Sequence, residues 1–286
     1  MRKLKLGLIG VGIEKSRAPD LHRLAGHLCG IAVTYNLIQL ESAVPERFDD
    51  ALSECESQGY CAVNVTHPFK ERAAEVVNIT SEQVRKLGAV NTVRFNSETE
   101  TQGFNSDYTG FKRAFESRFP GQLPGKVAIV GAGGVGRAIA FGLVDLRAEE
   151  IRLFDQEVLK SESLAIALRT QTDSRILICS TLEDAATNVD GLINATPIGM
   201  LNHPGTPIPK FIVGTQSWAF DAVYTPVETR FLLDAMDAGL EVLSGYELFF
   251  YQGVEAFEIF SGVRVDESRL REELPQPEVN TGPSGL

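Results

Sequence analysis

Short apolar runs alternate with helical patterns along most of the chain. Residues 5–9 predict a strand, 19–29 a helix with Leu21, Leu24, Ala25 and Leu28 on one face, and 34–40 a second strand. That is a β-α-β beginning. Residues 45–57 repeat the helical period, 61–65 read as a short buried strand, 68–76 as a helix with Pro68 near its first turn, and 89–95 as another strand. After the polar stretch 96–102 comes a helix at about 108–118, then the linker Phe119-Pro-Gly-Gln-Leu-Pro-Gly125, punctuated by Pro and Gly. A second alternating series follows: strands at 126–130, 151–154, 176–179, 191–194 and 217–222, with helices at 134–146 and 163–170. The pattern is that of a doubly wound sheet. The tail 275–286, rich in Pro, Gly, Asn and Ser, is expected to be disordered.

Composition narrows what these elements can serve. At 286 residues, 43% of them apolar, the chain is long for one hydrophobic core, so two domains are expected. A net charge of -11 offers no field for phosphate backbones, which argues against nucleic acid or an anionic membrane as partner. The apolar run after the basic start is broken by Gly7 and Gly10, too short for a signal or spanning segment. Cys29, Cys55, Cys61 and Cys179 show no metal-ligand spacing and no disulfide framework, so reduced thiols in a cytoplasm, and no metal, are expected.

The strongest local signal is the strand Lys126-Val-Ala-Ile-Val130, then Gly131-Ala132-Gly133-Gly134-Val135-Gly136 and an amphipathic helix. In G-x-G-x-x-G the first glycine allows the tight turn, the second lets backbone N–H groups approach a pyrophosphate, and the third lets helix and strand pack closely. The positive helix end then faces the phosphates. Asp155 closes the next strand, at the usual separation of about 20 residues, where it would bond the adenosine ribose hydroxyls and repel a ribose phosphate. A purely structural glycine turn, with Asp155 capping the strand, is the alternative. The motif predicts a Rossmann-type, doubly wound dinucleotide-binding domain.

Five ordered blocks then resemble the shikimate/quinate dehydrogenase family: Asn64-Val-Thr66-His-Pro68-Phe-Lys70, Gly88-Ala-Val-Asn91-Thr92, Gly103-Phe-Asn105-Ser106-Asp107, Asn194-Ala-Thr196-Pro197-Ile-Gly199-Met200 and Asp221-Ala-Val-Tyr224-Thr-Pro226. With the nucleotide loop the resemblance runs from about residue 7 to 262. Read from the residues, Lys70 begins a helix, where the positive helix end and burial favour the neutral amine, while a nearby Asp107 favours the charged one. Such a pair can relay a proton as an alcohol becomes a carbonyl. An ordinary salt bridge is the alternative from spacing alone. The resemblance implies that Lys70 and Asp107 are the catalytic pair. It also implies that Ser16, Thr66, Asn91 and Gln252 bind a small cyclic polyhydroxy acid, and Asn105 and Tyr224 are further neutral donors suited to its carboxylate and ring hydroxyls. The dinucleotide would be held by residues 131–136, Asp155, Thr196, Pro197, Gly199, Met200 and Gly245.

Three departures qualify the resemblance. Ala18 stands where the family's Ser-x-Ser-Pro or Ser-x-Thr-Pro segment has its second hydroxyl, with Arg17 as a candidate substitute. Tyr246-Glu247 replaces part of a Gly-Met-Leu pattern, and Phe154-Asp155-Gln156 stands where NADP-using members carry Asn-Arg-Thr. The last points to NAD.

The expected architecture is an α/β substrate domain (1–107), an NAD-binding Rossmann domain (108–240), C-terminal helices returning to the first domain (241–272) and a disordered tail (273–286). The expected activity is NAD-dependent interconversion of shikimate or quinate with the 3-dehydro ketone, in a monomer or homodimer. A dehydrogenase of an amino-substituted or otherwise modified ring acid, and a non-catalytic dinucleotide sensor, are the competing readings.

Overall fold

A computed structural model of the chain describes residues 1–95 and 100–275. The described part divides into two compact units, one formed by residues 1–110 with 250–275 and the other by 111–249. The expectation for the tail beyond residue 275 lies outside the described residues.

The first unit is built on a five-stranded sheet of order β2-β1-β3-β4-β5. Its strands are β1 (Lys3–Gly10), β2 (Ala32–Gln39), β3 (Ala62–Val65), β4 (Thr92–Arg94) and β5 (Gln102–Phe104). β1 runs parallel to both β2 and β3, whereas β4 is antiparallel to β3 and to β5. Around it stand α1 (Ala18–Leu28), α2 (Pro45–Ser57), α3 (Lys70–Val76) and α4 (Glu82–Leu87). Because helices cover both faces, β1 is buried along nearly its whole length and shows no simple alternation. On one face Ile9, Val63, Val65 and Val93 pack with Phe48, Leu52, Phe69 and Val84.

Two differences from expectation have local causes. The helix expected from Pro68 begins at Lys70, because Thr66–Phe69 forms a turn closed by Phe69 N–H on Thr66 O at 3.0 Å, with the His67–Pro68 peptide cis. Residues 102–104, expected within or beside a polar stretch, pair with β4 as the sheet's last strand.

The second unit contains a fully parallel six-stranded sheet of order β11-β10-β9-β6-β7-β8. The strands are β6 (Lys126–Val130), β7 (Glu150–Phe154), β8 (Arg175–Ile178), β9 (Gly191–Asn194), β10 (Trp218–Asp221) and β11 (Glu241–Leu243). The helices are α5 (Ser106–Arg118), α6 (Gly134–Asp145), α7 (Val158–Arg169), α8 (Leu182–Ala186), α9 (Arg230–Asp237) and α10 (Gly245–Ser261), while α11 (Glu267–Glu273) belongs to the first unit. The chain enters this unit within α5 and leaves it within α10. Since β11 pairs with β10, residues 241–243 belong to the second sheet rather than to the returning segment. On one face Ala128, Leu192 and Ala219 pack with Phe231, Leu232 and Ala235. On the aromatic side Phe111 meets Phe220, and Phe115 lies edge-on to Trp218, both at 5.2 Å between centroids.

In the first unit the returning segment meets α1. Leu21 lies against Gly253, and His22 is sandwiched among Tyr35 (4.8 Å, stacked), Phe257 and Phe260. Burial pushes the His22 imidazole down to about 3, with Asn64 opposing. A folded-state value below the unfolded one means stability that is full above pH 6.5 and is lost as pH falls toward 3. Between pH 7.5 and 5.5 the native protein should therefore lose about 1.4 kcal/mol through this one group. His22→Phe, which keeps the ring stack, should be free of that part of the loss. Denaturant unfolding of both proteins at the two pH values measures it, and equal losses would remove His22 as the cause.

Candidate active site

At the carboxyl ends of β1 and β3 the first unit gathers most of the side chains singled out in the sequence. Lys70 is the first residue of α3 and Asp107 the second of α5. Their side chains meet at 2.6 Å, with the residues 9% and 2% exposed. Charges this buried are screened little by water, so they interact more strongly than a surface pair would. The main chain fixes Lys70 as well, since Val90 N–H donates to its carbonyl at 2.8 Å.

Asn91 organises the polar floor beside this pair. Its Nδ2 donates to Ser106 Oγ at 3.1 Å and to Gln252 Oε1 at 3.2 Å, while its Oδ1 accepts from Ser106 N–H at 2.8 Å and Thr92 Oγ1 at 2.9 Å. Both amide hydrogens are thereby engaged within the protein. Gln252, on α10, is left with its Nε2 hydrogens without a partner among the described residues. Thr66, in the turn before α3, is half-buried and its hydroxyl likewise makes no side-chain hydrogen bond there. Both groups can still donate to a ligand.

The other candidates stand differently. Asn105 is buried, donates to Ala89 O at 2.9 Å and accepts from Tyr108 N–H at 3.0 Å, so it caps α5 and ties it to the preceding loop. Ser16, in the loop after β1, accepts from Ala18 N–H at 3.3 Å. Arg17 donates to the Pro275 carbonyl, so the cation that could replace the missing hydroxyl at Ala18 is engaged with the backbone after α11. Tyr224 belongs to the second unit, where its ring stacks on Phe249 at 4.9 Å, with Tyr246 beside Phe249. Ser106 and Thr92 were not singled out in the sequence, though both lie inside quoted blocks. Their signal is a hydroxyl at a wholly buried position next to a motif residue.

In the second unit β6 is flanked by β7 on one side and β9 on the other, so strand order reverses there. Ligands of such sheets bind outside the carboxyl ends at that reversal. Gly131 ends β6 with φ +102, and a Cβ on it would lie 2.8 Å from Ala195 O. A Cβ on Gly136 would collide with Gly131 O, whereas one on Gly133 would meet nothing within 4 Å. The first and third glycines are thus needed for close packing, and the second is open to an approaching group. Gly134 and Val135 form the first turn of α6, whose N–H groups have no intrahelical acceptor. This cradle fits a pyrophosphate.

Asp155, at the end of β7, accepts from Ala132 N–H at 2.7 Å and from Glu157 N–H at 2.8 Å. Each carboxylate oxygen retains a further lone-pair direction. Arg152 is bound to Glu150 at 2.6 Å and to the carbonyls of Asp184 and Thr187, and Lys160 to Glu157 at 2.7 Å. Past β9, Thr196 bonds Asn194 Oδ1 through both N–H and Oγ1, Met200 N–H closes on Pro197 O, and Gly199 has φ +111. Gly245 opens α10 with its Cα against the carbonyls of residues 221–223. Among the described residues no three His, Cys, Asp or Glu side chains gather as a metal site, and no helix is long and apolar enough to cross a membrane.

A parallel Rossmann-like sheet joined to a second α/β unit that carries a buried lysine–carboxylate pair is the architecture of a dehydrogenase of the two-domain α/β class. The shikimate dehydrogenase substrate binding domain matches residues 8–93. The quinate/shikimate dehydrogenase (NAD(+)) of Corynebacterium efficiens is 36% identical over 271 residues, 93% of this chain and 95% of that protein. The shikimate dehydrogenase (NADP(+)) of Streptomyces avermitilis is 34% identical over 276 residues, 95% of this chain and 94% of that one. Quinate dehydrogenase from Corynebacterium glutamicum, solved in complex with NAD, superposes with a TM-score of 0.82 at 35% identity, covering 95% of this chain and 98% of that structure. The chain belongs to the shikimate/quinate dehydrogenase family.

Proposed function

We propose that this protein oxidises quinate or shikimate to the 3-dehydro ketone, and reduces the ketone, using NAD. The observation that carries the reading is the buried Lys70–Asp107 pair at 2.6 Å beside the donors of Thr66 and Gln252. As a ring hydroxyl becomes a ketone, its O–H proton passes to Lys70 as the neutral amine, forming the ammonium that Asp107 holds; in reduction that ammonium returns the proton to the ketone oxygen. The dinucleotide, when bound, takes up or supplies the hydride. Asn91 holds the Gln252 amide so that its Nε2, rather than its Oε1, is offered to ring hydroxyls. For the cofactor, the carboxylate of Asp155 suits a pair of ribose hydroxyls and opposes a ribose phosphate. Relatives of both cofactor types lie at similar identity, so this carboxylate is the basis of the choice.

Steady-state rates with shikimate and quinate, each with NAD⁺ and NADP⁺, test the proposal. Turnover of at least one acid with NAD⁺ is expected, and no oxidation of either acid with either cofactor would overturn it. A second reading, a dehydrogenase of an amino-substituted or otherwise modified ring acid, draws on one observation. Ala18 offers no side-chain donor and Arg17 is turned to Pro275 O, so the acid group is less well served than the ring. Turnover of a modified acid at a higher kcat/KM than either parent acid would favour it.

A further inference from the structure

The least expected polar cluster lies inside the second unit. Asn194, Asp221 and Thr229 are 0%, 0% and 1% exposed, among the most deeply buried polar side chains described. They occupy the carboxyl ends of β9 and β10 and the N-cap of α9. Asp221 Oδ1 accepts from Asn194 Nδ2 at 2.8 Å and from Val223 N–H at 2.9 Å, and its Oδ2 accepts from Thr229 Oγ1 at 2.6 Å. Asn194 is saturated in turn. Its Nδ2 also donates to Ile198 O at 3.0 Å, and its Oδ1 accepts from Thr196 N–H and Oγ1 at 2.9 and 2.7 Å.

One carboxylate therefore ties three segments together. Through Asn194 it splints the loop 194–199, through Val223 N–H it sets the turn 221–224, and through Thr229 it reaches the start of α9. Gly199 rests on Thr229, whose Cβ lies 3.7 Å from an added Cβ, and Gly245 abuts the carbonyls of Asp221, Ala222 and Val223. An unpaired or half-paired carboxylate at such depth is costly, so a fully bonded one marks a place where the backbone must be held.

The sheet order says which part of a dinucleotide these segments face. The pyrophosphate cradle is at β6 and Asp155, the candidate for the adenosine ribose, is at β7, on one side of it. β9 and β10 lie on the other side, where the nicotinamide half must go. We infer that Asp221 is a positioning residue for the nicotinamide half of the cofactor site, holding the 194–199 loop, the 221–224 turn and Gly245 in one arrangement through Asn194 and Thr229. The inference rests on the dinucleotide reading of this unit. It places Asp221 behind the site, in contact with the loops that line it and not with the reacting atoms.

Burial pushes the Asp221 carboxyl up to about 7, against hydrogen bonds from Thr229, Val223 and Asn194. The geometry tolerates a neutral group. An amide at this position can still accept from Val223 and Asn194 with its oxygen and donate to Thr229 Oγ1 with its nitrogen.

Binding of NAD⁺ and of ADP-ribose, which lacks the nicotinamide, separates positioning from general stability. The full-length protein is titrated with each ligand as wild type, Asp221→Ala and Asp221→Asn. In Asp221→Ala the Kd for NAD⁺ is expected to rise about 10-fold, with ADP-ribose held within about twofold; Asp221→Asn should restore NAD⁺ binding to within about threefold of wild type. Should Asp221→Ala fail to fold, Thr229→Val carries the same expectation at about threefold for NAD⁺, with Thr229→Ser restoring it. Equal weakening of both ligands, no weakening of either, or failure of the conservative variants to restore NAD⁺ binding would overturn the inference. A wild-type protein that binds neither ligand would instead overturn the dinucleotide reading, and the inference with it.

Discussion

Lys70→Ala should lower turnover by about 100-fold or more while leaving dinucleotide affinity nearly unchanged, because general acid–base assistance is typically worth roughly 10² to 10⁴ in rate. The expectation follows from where the ammonium is held. It is the buried partner of Asp107 at 2.6 Å, in a unit other than the one bearing the glycine cradle. Removing it also strands a carboxylate that is 2% exposed, which in comparable buried pairs costs about 3–5 kcal/mol of stability. Stability and turnover are therefore expected to part company in the double variant. Adding Asp107→Asn to Lys70→Ala removes the stranded charge, so the melting temperature should recover. Turnover should not recover, and should be little worse than in the worse single variant, because two groups that relay one proton act as a unit. Near wild-type kcat in Lys70→Ala takes the lysine out of the mechanism, and multiplicative losses give the two residues independent roles.

The sequence carried the fold where its elements were long enough to show a period. α2 and β9 fall on the expected residues, and β6 with the start of α6 on the expected glycine pattern. The shorter elements are a different matter. α4 and α8 span six and five residues, less than two turns, and β5 and β11 span three each, so neither period is completed. α7 starts at Val158 rather than at 163 because Val158 and Leu159 are apolar but exposed, which breaks the amphipathic pattern at that end. α9 is not among the expected helices, although Thr229 at its N-cap and Phe231, Leu232 and Ala235 inside it form a readable pattern.

The site was less legible for a physical reason. Lys70 and Asp107 are 37 residues apart, and no helical or strand spacing brings them together. Asn91 and Asn105 look alike in sequence, yet one amide orients Gln252 while the other caps α5. A short polar side chain serves whichever backbone or side-chain group packing brings near, and that is decided by tertiary structure. The same holds for Asp221, whose three partners come from positions 194, 223 and 229.

The unmodified enzyme should prefer NAD⁺ to NADP⁺ by about 30-fold to 1,000-fold in kcat/KM. NADP⁺ would bring a phosphate to the ribose hydroxyl that Asp155 is placed to bind, and the loss of a charged hydrogen bond together with adjacent like charges is worth roughly 2–4 kcal/mol in a partly buried site. At about 1.4 kcal/mol per decade this gives the stated range. Two cations stand close enough in sequence to soften the repulsion, but each is engaged elsewhere. Arg152 is bound to Glu150 and two carbonyls, and Lys160 is paired with Glu157. Glu157, two residues after Asp155, adds a second negative side chain to the same turn. Substitution at Asp155 also touches the glycine loop, because its Oδ2 accepts from Ala132 N–H at 2.7 Å. Asp155→Asn is the control for this, keeping an acceptor for the loop while removing the charge, and should narrow the preference by about 10-fold with NAD⁺ kinetics little changed. Asp155→Ser with Gln156→Arg should narrow it further or reverse it, since an arginine beside the ribose supplies a bidentate phosphate partner. All variants are measured with both cofactors at one ionic strength. Equal or better use of NADP⁺ by the unmodified enzyme, or a preference that Asp155→Asn leaves intact, would take the discrimination away from this carboxylate.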